Sequence, residues 1–145
     1  MFKRNKIKTI GRTAVVSFPE DDIYKVVAKI DTGAYTSSVW ATDITEVDGV
    51  LSFKLLNSKV SGFSGKVFST KKYHKVVVYN SFGHSEKRFR VQLILEIGGE
   101  KFKTDFTLAD RSLNTYPILI GRKTIRNKFV VDVSTVSYTH LTLPT

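Results

Sequence analysis

The sequence predicts an all-β domain, and three observations carry that expectation. Apolar, β-branched and aromatic residues come in short runs of strand length, separated by turn residues. Two pairs, Asp48-Gly49 and Gly98-Gly99, stand between such runs, where a two-residue hairpin turn needs residues that tolerate positive φ. From Lys101 to Leu108 the chain alternates, which puts Phe102, Thr104, Phe106 and Leu108 on one face and Lys101, Lys103, Asp105 and Thr107 on the other.

Taken in order, Thr13–Phe18 reads as a first strand stopped by Pro19 and the acidic Glu20-Asp21-Asp22 turn. Ile23–Ile30 follows as a half-buried strand, then a short strand Ser38–Ala41. Ile44–Val47 and Val50–Leu55 form a hairpin through Asp48-Gly49. Residues 57–74 carry no clear period, with Gly62 and Gly65 marking turns or bulges. Lys75–Tyr79 and Arg88–Leu93 flank a long hairpin tip, Asn80–Ser85, and Leu93–Ile97 pairs with Glu100–Leu108 through Gly98-Gly99. A short helix is expected at Arg122–Ile125 and a closing strand at Phe129–Val133, with no internal repeat.

At 145 residues, 41% of them apolar, the chain suits one folded domain. We place that domain at residues 1–134. Residues 135–145 contain no Asp, Glu, Lys or Arg, and read as a non-native or disordered tail. There is no Cys, hence no disulfide framework. The basic N-terminus leads into no apolar signal-like region and no stretch is long enough to span a bilayer, so a cytoplasmic protein without membrane contact is expected.

The formal charge is +10. Between Asp48 and Glu86 there is no acid, yet Lys54, Lys59, Lys66, Lys71, Lys72 and Lys75 all fall there. A stretch of one sign is unusual on a folded surface and points to an acidic partner.

The candidate chemistry lies in Asp31-Thr32-Gly33-Ala34, which directly follows the strand Ile23–Ile30 and occurs once. An acid at the end of a strand, followed by a Gly that permits a tight turn, puts a carboxylate on a rigidly held loop. Aspartic peptidases present their catalytic group in this way, and they need two carboxylates facing one water. A second Asp-Thr-Gly or Asp-Ser-Gly is absent, so the other acid must come from a second chain. Downstream, Tyr116–Arg122 is an apolar run ending in Gly121, where a missing Cβ lets two backbone segments pass closely.

Ala28–Ser38, together with Ile10-Gly11-Arg12, Phe106–Ser112 and Pro117–Arg122, resembles the retropepsin-like aspartic protease family found near RimK-type glutamate ligases, also labelled an ATP-dependent zinc protease. The likeness spans roughly residues 10–133, and Tyr35 departs from it where Arg is expected. The resemblance implies a closed retropepsin-like β-barrel lobe acting as a homodimer. It makes Asp31 the catalytic carboxylate, Thr32 a hydrogen-bonding group toward the partner loop, and Gly33 and Ala34 the rest of the active-site loop. Ile120, Gly121 and Arg122 would support that loop, Arg122 through an internal ion pair. The flap would be the Val76–Leu93 hairpin, with Ser61–Gly65 the alternative tip.

No metal and no cofactor is expected. His-Glu-x-x-His and a Gly-Lys-Ser/Thr phosphate loop are both absent. His74 and His84 read as surface or loop residues, and His140 falls in the tail. Asp110 reads as a capping or network residue at a turn, and a pairing with the adjacent Arg111, if formed, would favour its ionised form.

The leading expectation is therefore a homodimeric aspartic endopeptidase acting on an acidic, glutamate-rich peptide or protein, with the lysines of 49–85 supplying selectivity. One alternative is a small basic β-barrel that binds RNA or a ribosomal surface through those lysines, with Phe63, Phe68, Tyr73 and Phe82 as stacking groups. Another is a catalytically silent interaction module on the same fold.

Overall fold

The computed structural model describes residues 7–79 and 82–135. Its strands in chain order are β1 (Lys8–Ile10), β2 (Thr13–Phe18), β3 (Ile23–Ile30), β4 (Ser37–Val47), β5 (Val50–Leu55), β6 (Val67–Thr70), β7 (His74–Tyr79), β8 (Ser85–Ile97), β9 (Glu100–Ala109), β10 (Ile118–Ile120) and β11 (Phe129–Val131). One helical turn, α1 (Arg122–Ile125), separates the last two strands. The chain is thus all-β with one short C-terminal helix, as its patterning predicts.

Strand β10 pairs with β3 on one side and β4 on the other, so the path β10–β3–β2–β8–β9–β4 returns to β10. The sheet closes as a ring rather than as a regular barrel, because β5 and β6 continue outward from β4, and β7 pairs outward from β8. Closure satisfies backbone groups that an open sheet would leave at two edges. The interior is filled from all sides of the ring. Phe18 meets Phe106 edge-to-face at 5.3 Å, and Val91, Leu93, Leu95 and Ile97 of β8 alternate inward against them. Each such side chain stabilises the fold by about 1.5–3 kcal/mol relative to exposure.

Both predicted tight turns form, with Asp48 and Gly49 at φ 51° and 74° and Gly98 and Gly99 at 59° and 80°. Val47 faces Val50 and Ile97 faces Glu100 across them. Other boundaries differ from expectation. Ser38–Ala41 and Ile44–Val47 belong to one strand, β4, whose pairing with β5 is interrupted between Thr42 and Thr45, where Asp43 has φ 53°. The unreadable stretch 57–74 contains β6, paired to β5. Strand β1 escaped detection because three residues show no period; it pairs in parallel with β11. Thr135 closes this end by accepting a hydrogen bond from the Arg12 N–H at 2.8 Å. The expected tail beyond it, the basic start at residues 1–6 and the hairpin-tip residues 80–81 lie outside the described residues.

Ring closure has one tight point. Gly121 passes over the backbone of Tyr35 and Thr36, and a Cβ there would lie 2.7 Å from the Thr36 carbonyl carbon and 2.8 Å from both carbonyl oxygens. Its φ of −91° is open to any residue, so the demand is for space alone. The contact is bonded as well as close. The Gly121 N–H donates to Ser37 Oγ at 3.0 Å, Arg122 N–H to the Ala34 carbonyl at 2.7 Å, and Lys123 N–H to the Tyr35 carbonyl at 2.9 Å. Ser37 Oγ in turn meets Thr124 Oγ1 at 2.7 Å, which meets Thr104 Oγ1 at 2.8 Å.

Asp21, on the 3-10 turn between β2 and β3, is buried, and one of its carboxylate oxygens has no partner among the described residues. Burial pushes its pKa up to about 6, against a smaller downward pull from Lys66. The same turn anchors the 57–66 loop, since Ser64 donates to the Asp21 carbonyl at 2.7 Å.

Two predictions follow from this packing. Gly121→Ala should cost about 1–3 kcal/mol, because rigid backbone must move to admit the methyl group; an unchanged denaturant midpoint would show that the two segments separate freely. For Asp21, a folded pKa above the unfolded value means stability is lost as pH rises from 3.8 to about 6. The thermal midpoint of Asp21→Asn should therefore gain on wild type across that interval and hold its lead above it. A constant difference from pH 4 to 7 would contradict the assignment.

Candidate active site

Strand β3 delivers Asp31 to the rim of the ring, and β10 holds it there. The Asp31 N–H donates to the Ile120 carbonyl at 2.9 Å, continuing the parallel pairing of Ile120 with Ile30. The carboxylate folds back over its own loop, Oδ1 accepting the Gly33 N–H at 3.0 Å, while the Ala34 N–H donates to the Asp31 carbonyl at 3.2 Å. A Cβ at Gly33 would sit 3.2 Å from that same Oδ1. Asp31 is half-buried, whereas Thr32 and Gly33 at the loop tip are exposed.

The predicted supports come together around this loop. Ile120 lies in the core and supplies the carbonyl that holds Asp31; Gly121 makes the close crossing described above. Among the described residues, Arg122 does not form the expected ion pair. Its guanidinium donates to the Thr32 and Gly33 carbonyls at 3.1 and 3.2 Å and lies 5.5 Å from the centre of the Tyr35 ring. Arg126 stacks on the same ring at 5.6 Å. Tyr35 thus serves as a platform for two cations that bind or flank the loop, a use an Arg at that position would exclude.

A cavity of about 680 Å³ opens beside the loop. Ala34, Tyr35 and Thr36 form one wall and Val76–Tyr79 of β7 the other. The β7–β8 hairpin, in register from His74 opposite Arg90 to Tyr79 opposite Ser85, therefore stands over the site. The alternative flap tip does not. Gly62 faces Val26, and Ser64 is bonded to Asp21.

The lysines expected to dress this cleft lie elsewhere. Lys54 pairs with Asp43 at 2.9 Å, Lys66 approaches Asp22 at 3.8 Å and Lys75 pairs with Glu46 at 3.1 Å. Acids distant in sequence thus offset the acid-free stretch, which only the tertiary fold could reveal. Lys71 and Lys72 line a different cavity of about 660 Å³, along with Phe68, Tyr73 and Lys103.

The basic groups at the Asp31 cavity are instead Arg88, Arg90 and Arg111. Arg111 does not pair with Asp110. Asp110 accepts the Ser112 N–H at 2.9 Å, and hydrogen bonds from Ser112 hold its carboxyl below the usual range. Arg111 points its Nε–H at the Tyr116 carbonyl, 3.0 Å away. Its guanidinium is held below its ordinary value, chiefly by desolvation and then by repulsion from Arg88, with attraction to Asp31 opposing both. The sequence signal for this group was the pair of arginines two apart on a strand, Arg88 and Arg90, but periodicity could not say which cavity they line. Among the described residues, no three His, Asp or Glu side chains gather to hold a metal ion.

The comparisons with known proteins agree with this geometry. A family model described as the retropepsin-like aspartic endopeptidase RimB matches residues 9–140. A probable alpha-L-glutamate ligase from Shewanella pealeana is 30% identical over 129 residues, covering 86% of this chain and 28% of that protein. A probable alpha-L-glutamate ligase from Desulfotalea psychrophila is 29% identical over the same length, again covering 28% of its own chain. This chain thus spans little more than a quarter of the curated relatives it matches. A crystal structure of a Legionella pneumophila protein of unknown function superimposes with a TM-score of 0.68 at 25% identity, covering 91% of this chain and 96% of that one. With its Asp-Thr-Gly loop held by a closed ring and a family match over nearly its whole length, the chain belongs to the RimB-like family of retropepsin-like aspartic endopeptidases.

Proposed function

We propose that this chain is one half of a homodimeric aspartic endopeptidase that cleaves acidic, glutamate-rich peptides or protein tails. The observation that carries the reading is the Asp31 loop, a half-buried carboxylate fixed by Gly33 and Ile120 behind an exposed Thr32-Gly33 tip. One lobe presents one such acid. Two lobes meeting tip to tip bring two carboxylates to one water, with Thr32 of each placed to bond the partner loop.

Two carboxylates a few ångströms apart share a single proton, because ionising both is too costly. The ionised member takes a proton from the water as it attacks the scissile carbonyl, and the protonated member donates to the carbonyl oxygen. The pair then returns a proton to the leaving amine. The β7–β8 hairpin closes over the extended substrate, with Val77 and Tyr79 exposed on it. No cofactor takes part in this scheme.

Two observations support an acidic substrate. Among the described residues, those lining the cavity beside the Asp31 loop include three arginines and no acid. The relatives named as glutamate ligases carry a segment similar to this chain within a longer protein, and a peptidase module beside a glutamate-joining activity suits a glutamate-rich product. Of the stacking groups named for the RNA-binding alternative, Phe82 is exposed and the other three are engaged within the fold. Phe63 packs against the core, Phe68 lies 5.2 Å from Phe53, and Tyr73 meets Phe89 edge-on while its phenol donates to Glu46.

Asp31→Asn should abolish hydrolysis by a factor of about 100 or more while leaving the fold intact, since Asn is nearly isosteric but accepts no proton. Turnover surviving in the purified variant would end the aspartic-peptidase reading. Because each lobe holds one acid, specific activity should also fall when the protein is diluted below its dimer dissociation constant. Full activity from a species that sediments as a monomer would refute the shared dyad.

A further inference from the structure

The cavity beside the Asp31 loop is bordered by residues whose buried donors find no partner among the described residues. Among the described residues, three buried side-chain polar atoms lack a hydrogen-bond partner, and two of them, Ser38 Oγ and Arg88 Nε, belong to residues lining this cavity. Ser38 is only 5% exposed, so water does not substitute freely for a missing partner. A buried donor left unpaired costs about 1–3 kcal/mol, and such a cost is commonly recovered when a ligand supplies the acceptor.

The charges point the same way. Arg88, Arg90 and Arg111 line the cavity with no Asp or Glu among its walls. Arg88 reaches Thr107 Oγ1 with one terminal nitrogen at 3.5 Å and Glu86, on the exposed side, with the other at 3.3 Å. Arg111 is fixed through its Nε to the Tyr116 carbonyl, which leaves its terminal nitrogens for another acceptor. The two guanidiniums repel one another in partly desolvated surroundings, with Val76, Val78 and Leu119 as apolar walls. Like charges held together in this way are stabilised by an anion placed between them. Arginine suits a carboxylate in particular, because its planar fork matches the two oxygens.

We propose that Arg88, Arg111 and Ser38 form a carboxylate-binding subsite that takes a glutamate or aspartate side chain of the peptide next to the scissile bond. Only its placement beside that bond rests on Asp31 being the catalytic acid; the binding itself does not. The subsite reads substrate charge at the cleft, a role the lysines of the 49–85 stretch do not fill. Val76 lies opposite Arg88 and lines this cavity with it, while the neighbouring Lys75 pairs with Glu46.

The test begins with binding to the Asp31→Asn protein, so that it stands even if no turnover is ever detected. Fluorescence anisotropy would compare labelled oligoglutamate with labelled oligoglutamine of equal length. The parent should prefer oligoglutamate. Arg88→Gln, Arg111→Gln and Ser38→Ala should erode that preference, each arginine by about tenfold, the scale of a lost charge-assisted hydrogen bond. Arg111→Lys keeps the charge and should recover part of the loss, which separates local recognition from damaged folding. Lys71→Gln and Lys72→Gln, in the other cavity, should change little. Equal affinity for the two peptides, or undiminished oligoglutamate binding in folded Arg88→Gln and Arg111→Gln proteins, would overturn the subsite. With Asp31 restored, the arginine variants should lower kcat/KM for glutamate-flanked substrates several-fold more than for glutamine-flanked ones. An equal loss on both substrates would mean that the arginines position Asp31 and do not read the peptide, which also overturns the proposal.

Discussion

The structure depends on the way β10 closes the ring. Three residues, Ile118–Ile120, pair with β3 in parallel and with β4 in antiparallel fashion, so a single short strand joins the two ends of the path. The same strand supplies the carbonyl that holds the Asp31 N–H and then turns through Gly121 against the backbone of Tyr35 and Thr36. Core closure and placement of the acid are therefore one event. Backbone hydrogen bonds on both flanks leave the loop few ways to move, which is what a catalytic carboxylate needs if its position is to be held within fractions of an ångström.

Beneath that crossing lies a chain of hydroxyls, Ser37 to Thr124 to Thr104, that ties β4, α1 and β9 together. Each group is small, and each satisfies a polar atom that the close approach of three elements would otherwise strand. Arg122 completes the arrangement from the outside, bonding the loop carbonyls while lying over Tyr35. A fixed loop thus coexists with an exposed tip, the combination that the proposed pairing of two lobes requires.

Charge is distributed by the fold in a manner that bears on function. Lysines on the β5 to β7 side find carboxylates from β4 and from the 3-10 turn, so much of the local excess is paired. At the Asp31 cavity the pairing is sparser, since Arg88 meets Glu86 at 3.3 Å on the exposed side while Arg111 bonds a backbone carbonyl. There Arg88 and Arg111 stand near one another with apolar neighbours and no acidic wall, in a low-dielectric setting where charge discriminates strongly between ligands. Strand β7, which forms the other wall, pairs only with β8 and has no fully buried residue, so it is the part of the site least bound to the core.

The sequence by itself determined the β class, the two glycine-containing hairpin turns, the inward face of β9 and the Asp31–Ala34 loop. All of these are local: alternation, positive-φ turn residues and a strand-end acid are written within a few consecutive residues. It also marked Gly121 as a close-approach site, since a glycine ending an apolar run has few other uses. Only the tertiary structure decided that two predicted strands are one long β4, that three-residue β1 and β11 pair, and that Arg122 bonds carbonyls and not an acid. It also moved the basic groups of the cleft from the lysines of 49–85 to Arg88, Arg90 and Arg111. The physical reason is the same in each case. Which residue balances a charge, or closes a ring, depends on partners tens of residues away, and one-dimensional spacing carries no record of them.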